Sequence, residues 1–142
     1  GERDAIEKAC GEAKSEGAKR VLPLPVSAPF HCSLMTPAQK KMTNLLTEIP
    51  ISRPNVPVIS NVTASPTTDP NQIRKNLIQQ ITGAVRWRES VMEMQSMGGQ
   101  VFVEVGPGKV LTNLVKRTIK GVEQSAIGKT EEIYGFKDIE NV

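Results

Sequence analysis

Several residue types are scarce in this chain of 142 residues, and each scarcity argues against a class of function. Aromatic side chains make up only 4% of the sequence, whereas nucleic-acid binders combine basic stripes with aromatic residues on which bases stack. One histidine and two cysteines, Cys10 and Cys32, are too few for a zinc or iron–sulfur site. No apolar run approaches the ~20 residues of a membrane-spanning helix. We therefore expect no nucleic acid, membrane or metal among the partners.

The remaining composition is that of an ordinary folded domain. Hydrophobic residues make up 38% and charged residues 23% of the chain, and its formal net charge is +3. This mildly basic balance favours an acidic protein surface or an anionic small molecule as partner. Free thiols are typical of a reducing compartment, so we expect the cytoplasm, or an organelle matrix in a eukaryote. Because residue 1 is Gly and not Met, we also expect a preceding segment in the parent protein.

Hydrophobic periodicity predicts alternating helices and strands. Thr36-Pro37 and Asp69-Pro70 each predict a helix start, with the first residue as N-cap, and Gly17 predicts a helix end. The alternation favours an α/β fold with mainly parallel strands, too few to form a complete domain. Helices are predicted over residues 2–16, 36–47, 69–81, 87–97 and 109–119, and strands over 20–26, 56–59, 101–105 and, weakly, 125–127.

His31 is the only side chain whose ordinary pKa lies near neutrality. It follows an extended proline-containing segment and lies five residues before the predicted helix start at Thr36. This places it on a loop between a strand and a helix, where α/β enzymes carry catalytic groups. The alternative interpretation is a surface histidine without a role, and spacing alone does not decide between them.

Five stretches of the chain together resemble one known family. They are SAPFHCSLM (27–35), GAKR with LPLPV (17–26), SNV (60–62), VRW (85–87) and EVGPGKVLT (104–112). In their order along the chain they are similar to the malonyl-CoA:acyl-carrier-protein transacylases, the malonyltransferases of fatty acid synthesis. The resemblance covers about residues 1–128 and concerns the C-terminal part of the family only.

The resemblance implies both an architecture and an activity. The implied α/β fold is the C-terminal portion of an α/β-hydrolase-like acyltransferase domain, residues 27–142, with the last helix and strand of a ferredoxin-like small subdomain, residues 1–26. The implied reaction moves malonyl from coenzyme A to the phosphopantetheine thiol of acyl-carrier protein in fatty acid biosynthesis. Malonyl-CoA is then a substrate, acyl-carrier protein the partner, and no cofactor is expected.

The resemblance also assigns residue roles. His31 is the general base, and the backbone carbonyl at Gln80 orients its ring, although Gln80 can also be read as a polar residue on an outer helix face. Phe30 and Ser27 are assigned to substrate binding, with Phe30 filling the space that a 2-methyl group would occupy. Core packing is the alternative for Phe30. The candidates for docking the acidic carrier, which can also be ordinary solvated cations, are Lys19, Arg20, Lys116 and Arg117.

The nucleophile of the family has no counterpart in this sequence. The family carries its serine in a G-x-S-x-G turn, which is absent here, and its malonate-binding Arg and oxyanion-hole amides also lie N-terminal to the matched part. Gly106–Lys109 is not a phosphate loop either, because Val110 follows the lysine in place of Ser or Thr. We therefore expect the chain alone to be inactive. The alternatives are a non-catalytic carrier-docking fragment, an inert truncation, or an acyltransferase piece of a polyketide synthase.

Overall fold

The computed structural model describes residues 1–136, and residues 137–142 of the predicted polar C-terminal segment lie outside the described residues. The described chain contains both helices and short strands, which confirms the α/β class. No helix in this part of the chain is long and apolar enough to cross a membrane. The elements are α1 (Arg3–Ser15), a 3₁₀ turn (Ser33–Met35), α2 (Thr36–Glu48), β1 (Val58–Ile59), β2 (Pro66–Thr67), α3 (Pro70–Gln79), α4 (Trp87–Ser96), β3 (Val101–Val105), α5 (Val110–Thr118), β4 (Glu123–Ile127) and α6 (Thr130–Phe136).

The chain divides into two compact units, Gly1–Val85 and Arg86–Val142. This division describes compactness within the chain and does not test the subdomain boundary at residue 26, which stays a prediction. Helix α1 ends as expected, because Gly17 has a φ of 89° and its N–H donates to the carbonyl of Lys14 at 3.1 Å. The N–H of Ala18 donates to the carbonyl of Ala13 at 2.9 Å, which completes a Schellman cap.

The predicted strand over residues 20–26 is wrong. The segment pairs with no strand among residues 1–136. Pro23 and Pro25 have no backbone N–H to donate to a ladder, and the N–H of Val26 donates locally to the carbonyl of Leu24 at 2.8 Å. The alternation of apolar residues and prolines therefore marks a connecting segment without a strand partner.

Helices α2 and α3 pack against each other in the first unit. Asp69 is the N-cap of α3 as predicted, since its carboxylate accepts from the N–H of Asn71 at 3.1 Å. Thr36, however, does not cap α2, because it already has helical angles and its hydroxyl donates to the carbonyl of Ser33 at 2.6 Å. The helical conformation therefore begins with the 3₁₀ turn at Ser33, three residues before the predicted start at Thr36. Strands β1 and β2 are antiparallel, with Val58 opposite Thr67.

The second unit contains a parallel pair of strands, with β3 and β4 in register from Val101 opposite Glu123 to Val105 opposite Ile127. The predicted parallel arrangement thus applies to this pair and not to β1 and β2. Helices α4 and α5 and the residue that follows α5 supply the buried apolar side chains of this unit. The core consists of Val91, Val115 and Ile119, with the half-buried Trp87, Met94, Phe102 and Val122 around them.

Candidate active site

His31 lies on the short loop that precedes the 3₁₀ turn, in an uncommon backbone conformation. Its φ is 60°, in the left-handed region that residues other than glycine seldom adopt. The loop is held by local hydrogen bonds: the N–H of Phe30 donates to the carbonyl of Ala28 at 2.9 Å, and Cys32 Sγ donates to the carbonyl of Pro29 at 3.1 Å. Such conformations persist where surrounding contacts fix them, and they are concentrated at functional sites.

The imidazole of His31 meets the backbone at the end of α3. Its Nδ1 lies 3.1 Å from the carbonyl oxygen of Gln80, the residue that caps the helix. A carbonyl oxygen only accepts, so Nδ1 carries the hydrogen and Nε2 of the neutral ring keeps its lone pair. Carbonyls in the last turn of a helix lack partners within the helix and are free to accept from elsewhere. In the neutral form of the ring, the arrangement therefore fixes the tautomer with the hydrogen on Nδ1, and Nε2 of that tautomer can accept a proton.

A small cleft adjoins the carbonyl partner of His31. It has a volume of ≈ 120 Å³, which is below the ~300 Å³ at the lower end of ligand sites. This cleft by itself is therefore too small to enclose a substrate. Asn76, which is buried, and Asn61 bring amide groups to its wall, and neither was singled out from the sequence as a site residue.

The other predicted site residues are exposed. Phe30 is 51% exposed, so it has no core-packing role within the first unit, and Ser27 beside it is exposed as well. The four basic candidates form no ion pair with any residue that the structure describes. Lys19 and Arg20 follow α1 in the first unit, whereas Lys116 and Arg117 lie in the last turn of α5 in the second.

The turn that follows β3 is fixed by Glu104. Its carboxylate accepts from the N–H of Thr112 at 2.8 Å, from the hydroxyl of Thr112 at 2.8 Å, and from the N–H of Leu111 at 3.2 Å. The Thr112 N–H, and after it the other two donors, favour the charged form and hold the pKa of Glu104 below its ordinary range. Gly106 and Gly108 have φ values of 145° and 93°. This is a capped strand-to-helix turn, in agreement with the rejection of a phosphate loop.

Among the residues that the structure describes, no three His, Cys, Asp or Glu side chains are grouped so that they could hold a metal ion. Cys10 and Cys32 are both free thiols.

Comparison with known proteins identifies the relatives. No family model matches the chain. The malonyl CoA-acyl carrier protein transacylase of Salmonella typhimurium is 44% identical over 129 residues, which are 91% of this chain and 42% of the relative. That of Bacillus subtilis is 41% identical over 133 residues, 94% of this chain and 42% of the relative. The chain matches the C-terminal part of the malonyl CoA-acyl carrier protein transacylases.

Solved structures agree with this assignment and confirm the resemblance drawn from the sequence motifs. The acyl-carrier-protein S-malonyltransferase of Bartonella henselae superposes with a TM-score of 0.90 at 43% identity, covering 100% of this chain and 45% of that one. A type II polyketide acyl-carrier protein in complex with its malonyl-transacylase gives a TM-score of 0.88 at 38% identity, with the same coverages. The chain thus spans less than half the length of the relatives that it matches.

Proposed function

We propose that this chain is the histidine-bearing part of an acyltransferase that moves malonyl from coenzyme A to the phosphopantetheine thiol of acyl-carrier protein in fatty acid biosynthesis. The observation that carries the proposal is the contact between His31 Nδ1 and the Gln80 carbonyl at 3.1 Å, in a chain similar to the transacylases. The contact supports a general base because it occupies Nδ1 and leaves Nε2 of the neutral ring to accept a proton. The names of the relatives supply malonyl-CoA and acyl-carrier protein as substrates.

The proposed reaction has two acyl transfers that share one base. Nε2 of His31 takes the proton of a serine hydroxyl, the serine oxygen bonds to the malonyl carbonyl carbon, and the bond to the coenzyme A sulfur breaks as the proton passes to that sulfur. In the second half Nε2 takes the proton of the carrier thiol and the thiol sulfur bonds to the carbonyl carbon of the malonyl ester. The bond from that carbon to the serine oxygen then breaks as the proton passes to this oxygen. Each step moves protons and an acyl group, so the proposal requires no metal or redox cofactor.

The serine belongs, in this proposal, to a part of the enzyme that this chain does not contain. The test incubates the chain with malonyl-CoA, alone and joined to the N-terminal part of the Bacillus subtilis relative, and measures intact mass. We expect no adduct on the chain alone and a malonyl adduct on the supplied part in the joined protein. A stable malonyl adduct on a serine of this chain would show that the nucleophile is not missing.

The joined protein also tests the base. We expect His31→Ala to reduce malonyl transfer roughly 10²–10⁴-fold, the usual contribution of a general base, with the fold intact. Gln79→Ala is the matched control, because Gln79 is exposed and lies beside Gln80. If His31→Ala changes the rate less than a few-fold in a folded protein, His31 is not the base. Phe30 and Ser27 are proposed to contact the acyl group beside it.

The basic side chains at the end of α5 are proposed to dock the carrier. Lys116 and Arg117 are exposed, and acyl-carrier proteins are acidic, so these charges would act mainly through the association rate. Lys19 and Arg20 are the second proposed pair. We expect Arg117→Glu in the joined protein to raise the KM for the carrier, most at low salt, and to leave that for malonyl-CoA nearly unchanged. Equal effects on both substrates would assign Arg117 to coenzyme A or to folding.

A second candidate is the same transfer to the carrier of a polyketide synthase. It is favoured by the solved complex of a type II polyketide carrier with its malonyl-transacylase, which superposes on this chain with a TM-score of 0.88. Transfer rates of the joined protein to carriers of both pathways would separate the candidates. The proposed compartment, cytoplasm or organelle matrix, is tested by fractionation of the source cells.

A further inference from the structure

The side-chain amide of Gln39 makes two hydrogen bonds, one on each side of Gln80. Its Nε2 donates to the carbonyl of Ile78 at 3.0 Å and to the hydroxyl of Thr82 at 3.0 Å. The Ile78 oxygen only accepts, so the nitrogen and not the oxygen of the amide must face it, and both of its hydrogens are used. Both contacts are half-buried, where water competes less for the donors.

Gln39 joins the two segments that carry His31 and its partner. It lies in the first turn of α2, eight residues after His31 and just beyond the 3₁₀ turn. Ile78 and Thr82 lie two residues before and two residues after Gln80. Within the turn itself, the N–H of Gly83 donates to the carbonyl of Gln79 at 3.0 Å, whereas the N–H of Ile81 reaches the carbonyl of Ile78 only at 3.4 Å.

We propose that Gln39 is a positioning residue for His31. By fixing Ile78 and Thr82, its amide holds the Gln80 carbonyl where Nδ1 of His31 can donate to it, and so keeps the ring in the tautomer with a free Nε2. The inference rests on the proposed function for its catalytic consequence, because His31 is there the base. The contact with Gln80 is observed independently of that function.

The alternative is that Gln39 only joins α2 to α3 and does not position His31. A second hydrogen bond between the same two helices allows this alternative to be tested. Arg74 Nη1 donates to the carbonyl of Ile49 at 2.9 Å, which ties α3 to the opposite end of α2. Removing this tie should loosen the same pair of helices without touching the turn at Gln80. Positioning and general support therefore predict different results for Arg74.

The experiment uses the single histidine of the chain as its own reporter. The chain is labelled with ¹⁵N-histidine. Long-range ¹H–¹⁵N correlation spectra, recorded at a pH where the imidazole is neutral, give the ratio of the two tautomers of His31. We expect mainly the Nδ1–H form in the unaltered chain. Gln39→Met, which keeps the length of the side chain without its donors, and Gln39→Ala should shift the ratio toward Nε2–H roughly fivefold, as for the loss of one hydrogen bond.

Two controls and one activity measurement decide the outcome. Arg74→Met and Gln79→Ala should leave the tautomer ratio unchanged, although Arg74→Met should lower the urea midpoint. An unchanged ratio in both Gln39 variants, or an equal shift in Arg74→Met, overturns the inference. In the joined protein Gln39→Met should lower kcat with little change in KM. If the tautomer shifts while even the unaltered joined protein transfers no malonyl, the positioning stands and the proposed function fails.

Discussion

Truncation of Val91 to Ala tests where the core of the second unit lies. Val91 is 0% exposed and belongs to the cluster with Val115 and Ile119. The two carbons removed lose about 1.6 kcal/mol of transfer free energy, at about 0.8 kcal/mol for each buried group. A residual cavity adds to this loss, because the neighbouring helix relaxes only in part. We expect the free energy of unfolding to fall by about 2–3 kcal/mol, a large share of the roughly 5–15 kcal/mol of a typical domain.

The assay for this prediction is urea unfolding followed by the fluorescence of Trp87. This is the single tryptophan of the chain, and it packs against the same cluster, so its signal reports on the second unit. Met92, the next residue of α4, is 46% exposed, and Met92→Ala should change stability by no more than about 0.5 kcal/mol. Equal losses in the two variants, at unchanged m-value, would refute the placement of Val91 in the core.

Two further predictions concern one turn in each unit. The lowered pKa of Glu104 contributes stability that is fully present above the ordinary glutamate pKa of about 4.3 and is lost as the pH falls through the lower pKa of the folded state. Glu104→Gln should therefore remove this acid-sensitive part of the stability. Thermal melts over this pH range measure the loss, with the exposed Glu123→Gln as control. Gly83→Ala should disturb the turn after Gln80, because its Cβ would lie 3.0 Å from a backbone oxygen and from a valine methyl. The tautomer spectra measure this, with Gly11→Ala, which has nothing within 4 Å, as control.

The parts of the fold that depend on local chemistry could be predicted from the sequence. Gly17 ends α1 and Asp69 begins α3 because their caps involve residues within five positions along the chain. Strand β3 is a β-branched run that ends at glycine, and its partner β4 was only weakly indicated. The turn at Gly106 could be predicted from its glycines alone, without knowing how the strands pair.

The parts that depend on distant partners could not be predicted. The segment over residues 20–26 has strand-like alternation but no described neighbour, and β2 is too short to show a period. Helix α6 was missed because its sequence is polar. The structure explains its start through Glu132, whose carboxylate accepts from the N–H of Gly128 at 2.7 Å and of Lys129 at 3.1 Å and whose pKa is lowered by these donors.

The candidate site also has residues that the sequence indicated and residues that it did not. His31 was singled out by its loop, but spacing alone left its role open, and only the family resemblance paired it with Gln80, which lies 49 positions along the chain. Gln39 was not predicted at all. In the sequence it is one polar residue near the start of an amphipathic helix, and nothing local marks the two acceptors that it meets.

Because the partner of His31 is a backbone carbonyl, its position needs the support that Gln39 is proposed to give. A carboxylate attracts an imidazolium through its full charge and tolerates small displacements, whereas a carbonyl acts through a neutral hydrogen bond that weakens with distance and misalignment. The tautomer of His31 is therefore only as well defined as the position of the Gln80 carbonyl. The left-handed backbone conformation of His31 places the ring, and the half-buried amide of Gln39 is proposed to hold the carbonyl that the ring meets. The conformation of residue 31 and the amide of residue 39 would then together determine the orientation of Nε2.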